Sequence, residues 1–449
     1  MIRRVAIVGA GVTGLVAGRA LARLGYAVEV FDRWPDVGGQ ASAFDVGNGV
    51  FLDRYYHHLF ESDSHMTALH EELLPGELEW HASTMAMYAD GRFWPFVTPL
   101  DLLRYAPLTP IERARLGIAV LRLVRTAPGE SDHRTSALEW LRRWCGDRVV
   151  ERVWAPLLLG KFGDEARDVP LVWLRSKLVL RRQRLAGRGA GRELLGYPRG
   201  SFRAVSVALA DDIRRRGGTL SLDREVVAIE PHAAGFTLRC AAPGAYRSAP
   251  HTARAVEGRE ATADLVLLTP GTPVVRGLVA WPPDFAQRLA LWRCRTAVVL
   301  LLELAAPFGD VYWTNVVDRE APFLALIEHT NLVPAERYPA RYLYVSNYVA
   351  QDDPLVGLST DGLIERYLPM LARMRPGFDR GQIQRAWSFR EECAQPVPTL
   401  TTRERMLPFT TPVPGLFMAN TTQIYPEDRG TNYSVRLGND VAAAIARGS

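Results

Sequence analysis

The spacing of three glycines near the N-terminus constrains this chain more than any other feature. An apolar run over 4–8 leads into G-A-G-V-T-G from Gly9 to Gly14, and residues 15–24 then alternate apolar and small side chains at helical spacing. This is strand, tight turn, helix. A second buried strand over 27–31 ends at Asp32, eighteen residues beyond Gly14, and strands joined through a helix run parallel. Gly9 permits the turn, Gly11 lets the backbone approach a pyrophosphate, and Gly14 allows close packing of helix on strand. The free N–H groups of the helix start hold phosphate oxygens. Asp32 stands where an acid accepts hydrogen bonds from a ribose. Strand, helix and acid together predict a dinucleotide site.

The residues after Asp32 narrow the choice of dinucleotide. They read R-W-P-D-V-G-G-Q over 33–40, so that Gly38 and Gly39, flanked by Arg33 and Gln40, make a second glycine turn beside the first. An acid in place of a basic pocket after the second strand disfavours NADP. The combined pattern resembles the GxGxxG…E/D…GG signature of the FAD-binding amine oxidase and phytoene desaturase superfamily, which includes protoporphyrinogen oxidases and UDP-galactopyranose mutases. The resemblance extends over nearly the whole chain and implies tightly held FAD. It places the backbone of Val226, in D-R-E-V-V-A-I-E, against the adenine, and brings a helix N-terminus at Gly430, Thr431, Asn432 and Tyr433 to the flavin pyrimidine, where partial positive charge favours the anionic reduced flavin. Many members carry an acid where this chain has Asn420, so an amide would make that contact.

The expected fold class is α/β: a Rossmann-type FAD-binding domain from 1–75, 196–275 and 386–449, with an inserted mixed α+β substrate domain from 76–195, mainly helical, and 276–385. The length of 449 residues already calls for more than one core. Four dispersed cysteines, Cys145, Cys240, Cys294 and Cys393, form no CxxC or Cys/His pair, which argues against a metal site and a disulfide framework and makes a reducing cytoplasm the expected setting. The basic, apolar opening imitates a secretion signal, but its glycine spacing accounts for it better. Much of a net charge of +5 falls on Arg175, Lys177, Arg181, Arg182, Arg184, Arg188, Arg192, Arg199 and Arg203, read as a solvated helix face followed by a loop, with a surface or cleft that attracts a phosphorylated substrate or an acidic membrane as the alternative, and no nucleic-acid-reading module accompanies it. In the helical insertion Leu116, Val120, Leu123 and Val124 share a face, with Arg113, Arg115, Arg122 and Arg125 around it. Peripheral membrane contact is conceivable there, and packing on the chain's own substrate cleft is preferred.

Candidate chemistry lies in four segments. Tyr55 to Ser62, Y-Y-H-H-L-F-E-S, is similar to the flavin-side segment of the galactopyranose mutases, with His58 and Phe60 matching a His and a Phe; Tyr56 and His57 depart from it. That makes His58 the leading group to touch substrate or flavin, with Tyr56 and His57 on the substrate. Y-W-T-N from Tyr312 to Asn315 and E-H-T-N from Glu328 to Asn331 resemble flavin oxidoreductases of polysaccharide and glycosylated-metabolite biosynthesis, which offers Tyr312 and Asn315 as substrate contacts and Glu328 or His329 as base. Tyr425 and Arg429 precede the last helix and are assigned to the cleft. The expected function is a FAD-dependent oxidoreductase acting on a small organic or glycosylated biosynthetic substrate by hydride transfer to flavin. The alternatives are a non-redox flavin mutase of a nucleotide sugar and a binding protein resembling the Rab escort and GDP-dissociation-inhibitor proteins.

Overall fold

The computed structural model describes residues 2–185, 193–243 and 259–448, with backbone alone for 181–185. Its organising sheet has five strands in the order Thr219–Ser221, Ala27–Phe31, Arg4–Val8, Leu265–Leu268 and Leu416–Met418. All are parallel. The short strands are almost continuously apolar, as parallel strands covered on both faces must be. Helices Val12–Arg23, Ser201–Arg215 and Thr431–Gly448 pack together on one face through Leu15, Leu209 and Val441, and an antiparallel sheet of Glu225–His232, Gly235–Ala241 and Glu260–Ala263 covers the other through Ile229, Phe236 and Leu238. The predicted strand–turn–helix–strand is therefore the centre of the fold.

A second, seven-stranded sheet runs Ile383–Pro396, Cys294–Leu304, Arg341–Val349, Ala325–Glu328, Trp313–Val316, Met85–Ala89 and Arg92–Pro95. Helix Thr360–Met374 closes one face through Leu363, Tyr367 and Leu371. Helices Pro110–Arg125, Ala137–Cys145, Ala155–Phe162 and Leu171–Leu185 form a separate apolar cluster beside it. The mainly helical reading of 76–195 is thus corrected at its start, where Leu78–Ala82, Met85–Ala89 and Arg92–Pro95 are strands. Two expected boundaries also fall inside elements: 275/276 within helix Thr272–Leu278, and 385/386 within strand Ile383–Pro396, which pairs with Cys294–Leu304 along its length.

That pairing overturns the expectation about cysteines. It sets Cys294 opposite Pro396, and Cys294 and Cys393 are joined by a disulfide, 99 residues apart in sequence and 4.9 Å apart at Cα. Spacing along the chain could not reveal two strand ends lying side by side. The cysteines therefore do not call for a reducing compartment. In helix Pro110–Arg125, Leu116 and Leu123 are buried, while Ile111, Ile118 and Leu121 are exposed. Among the described residues no helix is long and apolar enough to cross a membrane. Of the basic stretch, Arg175 is buried against Asp132 and so is not a solvated charge, whereas Arg199 is exposed and pairs with Glu79, and the half-buried Arg203 pairs with Asp36. The side chains of Arg181, Arg182 and Arg184, together with Arg188 and Arg192, lie outside the described residues.

Candidate active site

The first cavity is built on the glycine turn. Gly9, Gly11, Asp32, Arg33, Gly38, Gly39, Gln40 and Val226 line it, and it runs on to Asn420, Arg429 and Gly430. Gly14 lies behind it: a Cβ there would stand 2.0 Å from the Gly9 carbonyl oxygen, so helix and turn touch only because the side chain is missing. At Gly11 the situation is opposite. A Cβ would meet nothing nearer than the Gly39 Cα at 3.8 Å and would project into the cavity, so the protein's own packing does not demand glycine there, whereas a group approaching the backbone does. Helix Val12–Arg23 starts at Gly11 with no side-chain cap and no acid in its first turn, which leaves its N–H groups facing that space. These are the features a pyrophosphate needs. Asp32 braces the turn, accepting from the Ala10 N–H at 2.6 Å and the Trp34 N–H at 2.9 Å; burial raises its pKa against these bonds.

A second cavity of about 450 Å³ adjoins the first and shares with it His57, Arg429, Gly430 and Thr431. Tyr56, His58, Tyr312, Asn315, Asn432 and Tyr433 line it, along with Trp154, Trp173, Trp313 and Tyr348. Tyr56 is hydrogen-bonded to Ser346 at 2.8 Å and His58 Nδ1 to the Tyr312 hydroxyl at 2.9 Å. His57 sits at the junction. Its Nδ1 lies 2.6 Å from the Tyr55 carbonyl oxygen, which can only accept, so Nδ1 carries the proton and Nε2 is left with a bare lone pair. Burial, helped by the Arg429 charge, lowers its pKa to about 4 and keeps the ring neutral.

Several expected site residues have other work. Glu328 accepts from the backbone N–H groups of Phe308 and Gly309 at 2.9 and 2.8 Å, and burial raises its pKa to about 7 against those bonds. His329 Nε2 is 2.7 Å from the Tyr338 hydroxyl, and burial drops its pKa to about 3. Neither lines either cavity. Strand Ala325–Glu328 is buried at every position between two neighbouring strands, so alternation along it leads from one packed layer to another. Tyr425 meets His133 at 2.9 Å and lines a minor crevice instead. Asn420 spends its amide on Pro270, Thr272 and Thr422, and Asn432 accepts from the N–H groups of His65 and Met66, capping helix Ser64–Leu73. Glu427 pairs with Arg436, whereas Arg429 donates to the Tyr348 hydroxyl.

What sequence reasoning missed is a cluster in the second cavity. Lys161 and Lys177 both reach Asp428, at 2.5 and 2.7 Å. Burial alone would raise the Asp428 pKa, but the charges of Lys161, Lys177 and Arg429 hold it well below the usual carboxylate range.

A family model for flavin containing amine oxidoreductases matches residues 12–445. The chain belongs to that family. It is an FAD-dependent oxidoreductase with a Rossmann-type FAD-binding domain and a substrate domain. No curated protein matches it by sequence. Among solved structures, a provisional protoporphyrinogen oxidase from Exiguobacterium aligns at 17% identity and a TM-score of 0.76, covering 100% of this chain and 99% of that one. Reduced UDP-galactopyranose mutase aligns at 14% identity and 0.75, covering 100% and 96%. Cyclohexylamine oxidase from Brevibacterium oxydans aligns at 16% and 0.71, covering 100% and 99%. At such identities the likeness is one of fold. The flavin amine oxidoreductase assignment also agrees with the open cradle at Gly11.

Proposed function

We propose that this flavin amine oxidoreductase removes two electrons and two hydrogens from a small organic substrate seated in the second cavity, with His57 accepting the proton. FAD, bound along the first cavity by Gly11, the start of helix Val12–Arg23, Arg33, Gly38, Gly39 and Val226, would supply the hydride acceptor. The chain contributes binding, orientation and a place for the proton. A carbon bearing O–H or N–H gives up a hydride and a proton to become C=O or C=N, and the proton goes to the lone pair of His57 Nε2. The Tyr55 carbonyl fixes the ring's tautomer and angle. His58 and Tyr312, hydrogen-bonded to each other, form part of the wall. Trp154, Trp173, Trp313 and Tyr348 provide apolar surface that excludes water and strengthens polar contacts within it.

The observation that carries this reading is that one neutral histidine, with an unprotonated nitrogen, lines both cavities. Anaerobic mixing with a panel of small alcohols, amines and hydroxy or amino acids tests it through loss of the flavin's visible absorbance. His57→Ala is expected to retain FAD and to slow bleaching by about a hundredfold, the usual scale for loss of a positioned base. His58→Ala should cost less, because that ring acts through Tyr312. Equal bleaching rates in wild type and His57→Ala would remove His57 from the chemistry.

A further inference from the structure

Lysine and arginine together number 54 in this chain, and only Lys161 and Lys177 are lysines. They stand sixteen residues apart, on helices Ala155–Phe162 and Leu171–Leu185, yet both end on the same oxygen of Asp428 inside the second cavity. A chain that uses arginine at every other cationic position keeps the compact ammonium where space is confined, and an ammonium offers three donors from a single point. The pair flanks one aromatic ring, with Lys161 Nζ 5.3 Å and Lys177 Nζ 5.9 Å from the centroid of Trp173. Arg429 supplies a third charge at the same place. Its guanidinium lies 5.6 Å over the Tyr348 ring and donates to that hydroxyl, its Nε is buried without a hydrogen-bond partner, and it has no salt bridge among the described residues.

Two ammoniums therefore end on one carboxylate, with the Arg429 charge near enough to act on it. The other oxygen of Asp428 is occupied by Gln395, 3.0 Å away. Two further acids line the wall, Asp63 accepting from the Phe60 N–H at 2.9 Å and Glu193 from the Ser83 hydroxyl at 3.1 Å, so the positive excess is confined to the surroundings of Asp428. Beyond the cluster the wall is apolar and aromatic, with Met85, Leu157, Leu174, Leu178, Trp313 and Leu324. Beside Asp428 a cationic amine would meet like charge, whereas a carboxylate would give Arg429 Nε an acceptor and balance the local excess of positive charge.

We infer that Lys161, Lys177 and Arg429 form an anion subsite, and that the substrate is an apolar, ring-bearing acid instead of a simple cationic amine. The inference rests on the reading of the second cavity as the substrate site. Titration of the oxidised holoenzyme with 2-naphthoate, 2-naphthalenemethanol and 2-naphthylmethylamine, followed by the flavin's visible spectrum, tests it. Naphthoate should bind at least about tenfold tighter than the alcohol, with the amine weakest, as expected for desolvated charge complementarity. Lys161→Met should bring the acid-to-alcohol ratio close to one; if that variant loses flavin, Lys177→Met is judged on the same ratio. An amine that binds as tightly as the acid, or a ratio unchanged by the substitutions, overturns the anion subsite and leaves the cavity assignment standing. If none of the three perturbs the flavin of a fully loaded protein, the cavity assignment falls, and the subsite with it.

Discussion

A glycine's task is local, and so Gly9, Gly11, Gly14, Gly38 and Gly39 could be placed from sequence; a buried carboxylate or imidazole takes its meaning from what packs across from it. Glu328 and His329 show the difference. Glu328 ends a strand that is buried at every position and His329 opens the 3-10 turn after it, and each polar group is satisfied by a neighbour that no local pattern announces: the backbone of Phe308 and Gly309 for one, the Tyr338 hydroxyl for the other. The structural reading of His329 carries a pH signature. Its pKa is about 3 in the folded protein against an ordinary value of 6.5. The unfolded chain therefore binds a proton that the folded one refuses as pH falls from about 6.5 towards 3, and stability is lost over that window. His329→Gln should be less stable at neutral pH. From pH 7 to pH 4.5, however, urea denaturation should show the wild type losing about 2 to 3 kcal/mol more than the variant, the cost of charging a buried neutral imidazole. Parallel pH profiles would mean that His329 titrates freely.

Elements were legible where periodicity was long and undivided. The parallel strands, helix Val12–Arg23 and helix Thr431–Gly448 lie close to where the pattern set them. The hairpin of Met85–Ala89 and Arg92–Pro95 was missed although Asp90 and Gly91 stand between its strands, both at positive φ, a two-residue turn that alternating flanks should have exposed. Asn432, assigned to the flavin from the sequence, has a structural task that no local pattern shows. Its carboxamide oxygen takes the N–H groups of His65 and Met66 at 2.9 and 3.1 Å, capping a helix more than 360 residues away in sequence. Asn432→Ala should leave flavin content unchanged and lower stability by about 1 to 2 kcal/mol, the cost of an uncapped helix start. Flavin loss with an unchanged denaturation midpoint would return Asn432 to the cofactor.

At the scale of the whole molecule, two adjoining cavities share four residues, and the proposed chemistry is placed at that junction. The sequence pointed to the first cavity because a dinucleotide is held largely by backbone, whose demands leave a glycine pattern. The second is assembled from the segment around His57, helices Ala155–Phe162 and Leu171–Leu185, the seven-stranded sheet and the approach to the last helix, and no single stretch carries its signature. One clue did lie in the composition, in the solitary pair Lys161 and Lys177, but it becomes meaningful only when both are seen to end on Asp428. The proposed chemistry requires FAD to lie along the Gly11 cradle. The direct measurement is flavin content per folded chain in wild type and Gly11→Val, with thermal unfolding as the control for folding. We expect about one FAD per wild-type chain and, in a variant of nearly unchanged melting temperature, less than about a tenth of that, because the added side chain fills the space where the pyrophosphate meets the backbone. Full flavin occupancy in Gly11→Val, or a folded wild type that neither carries nor binds FAD, would contradict it.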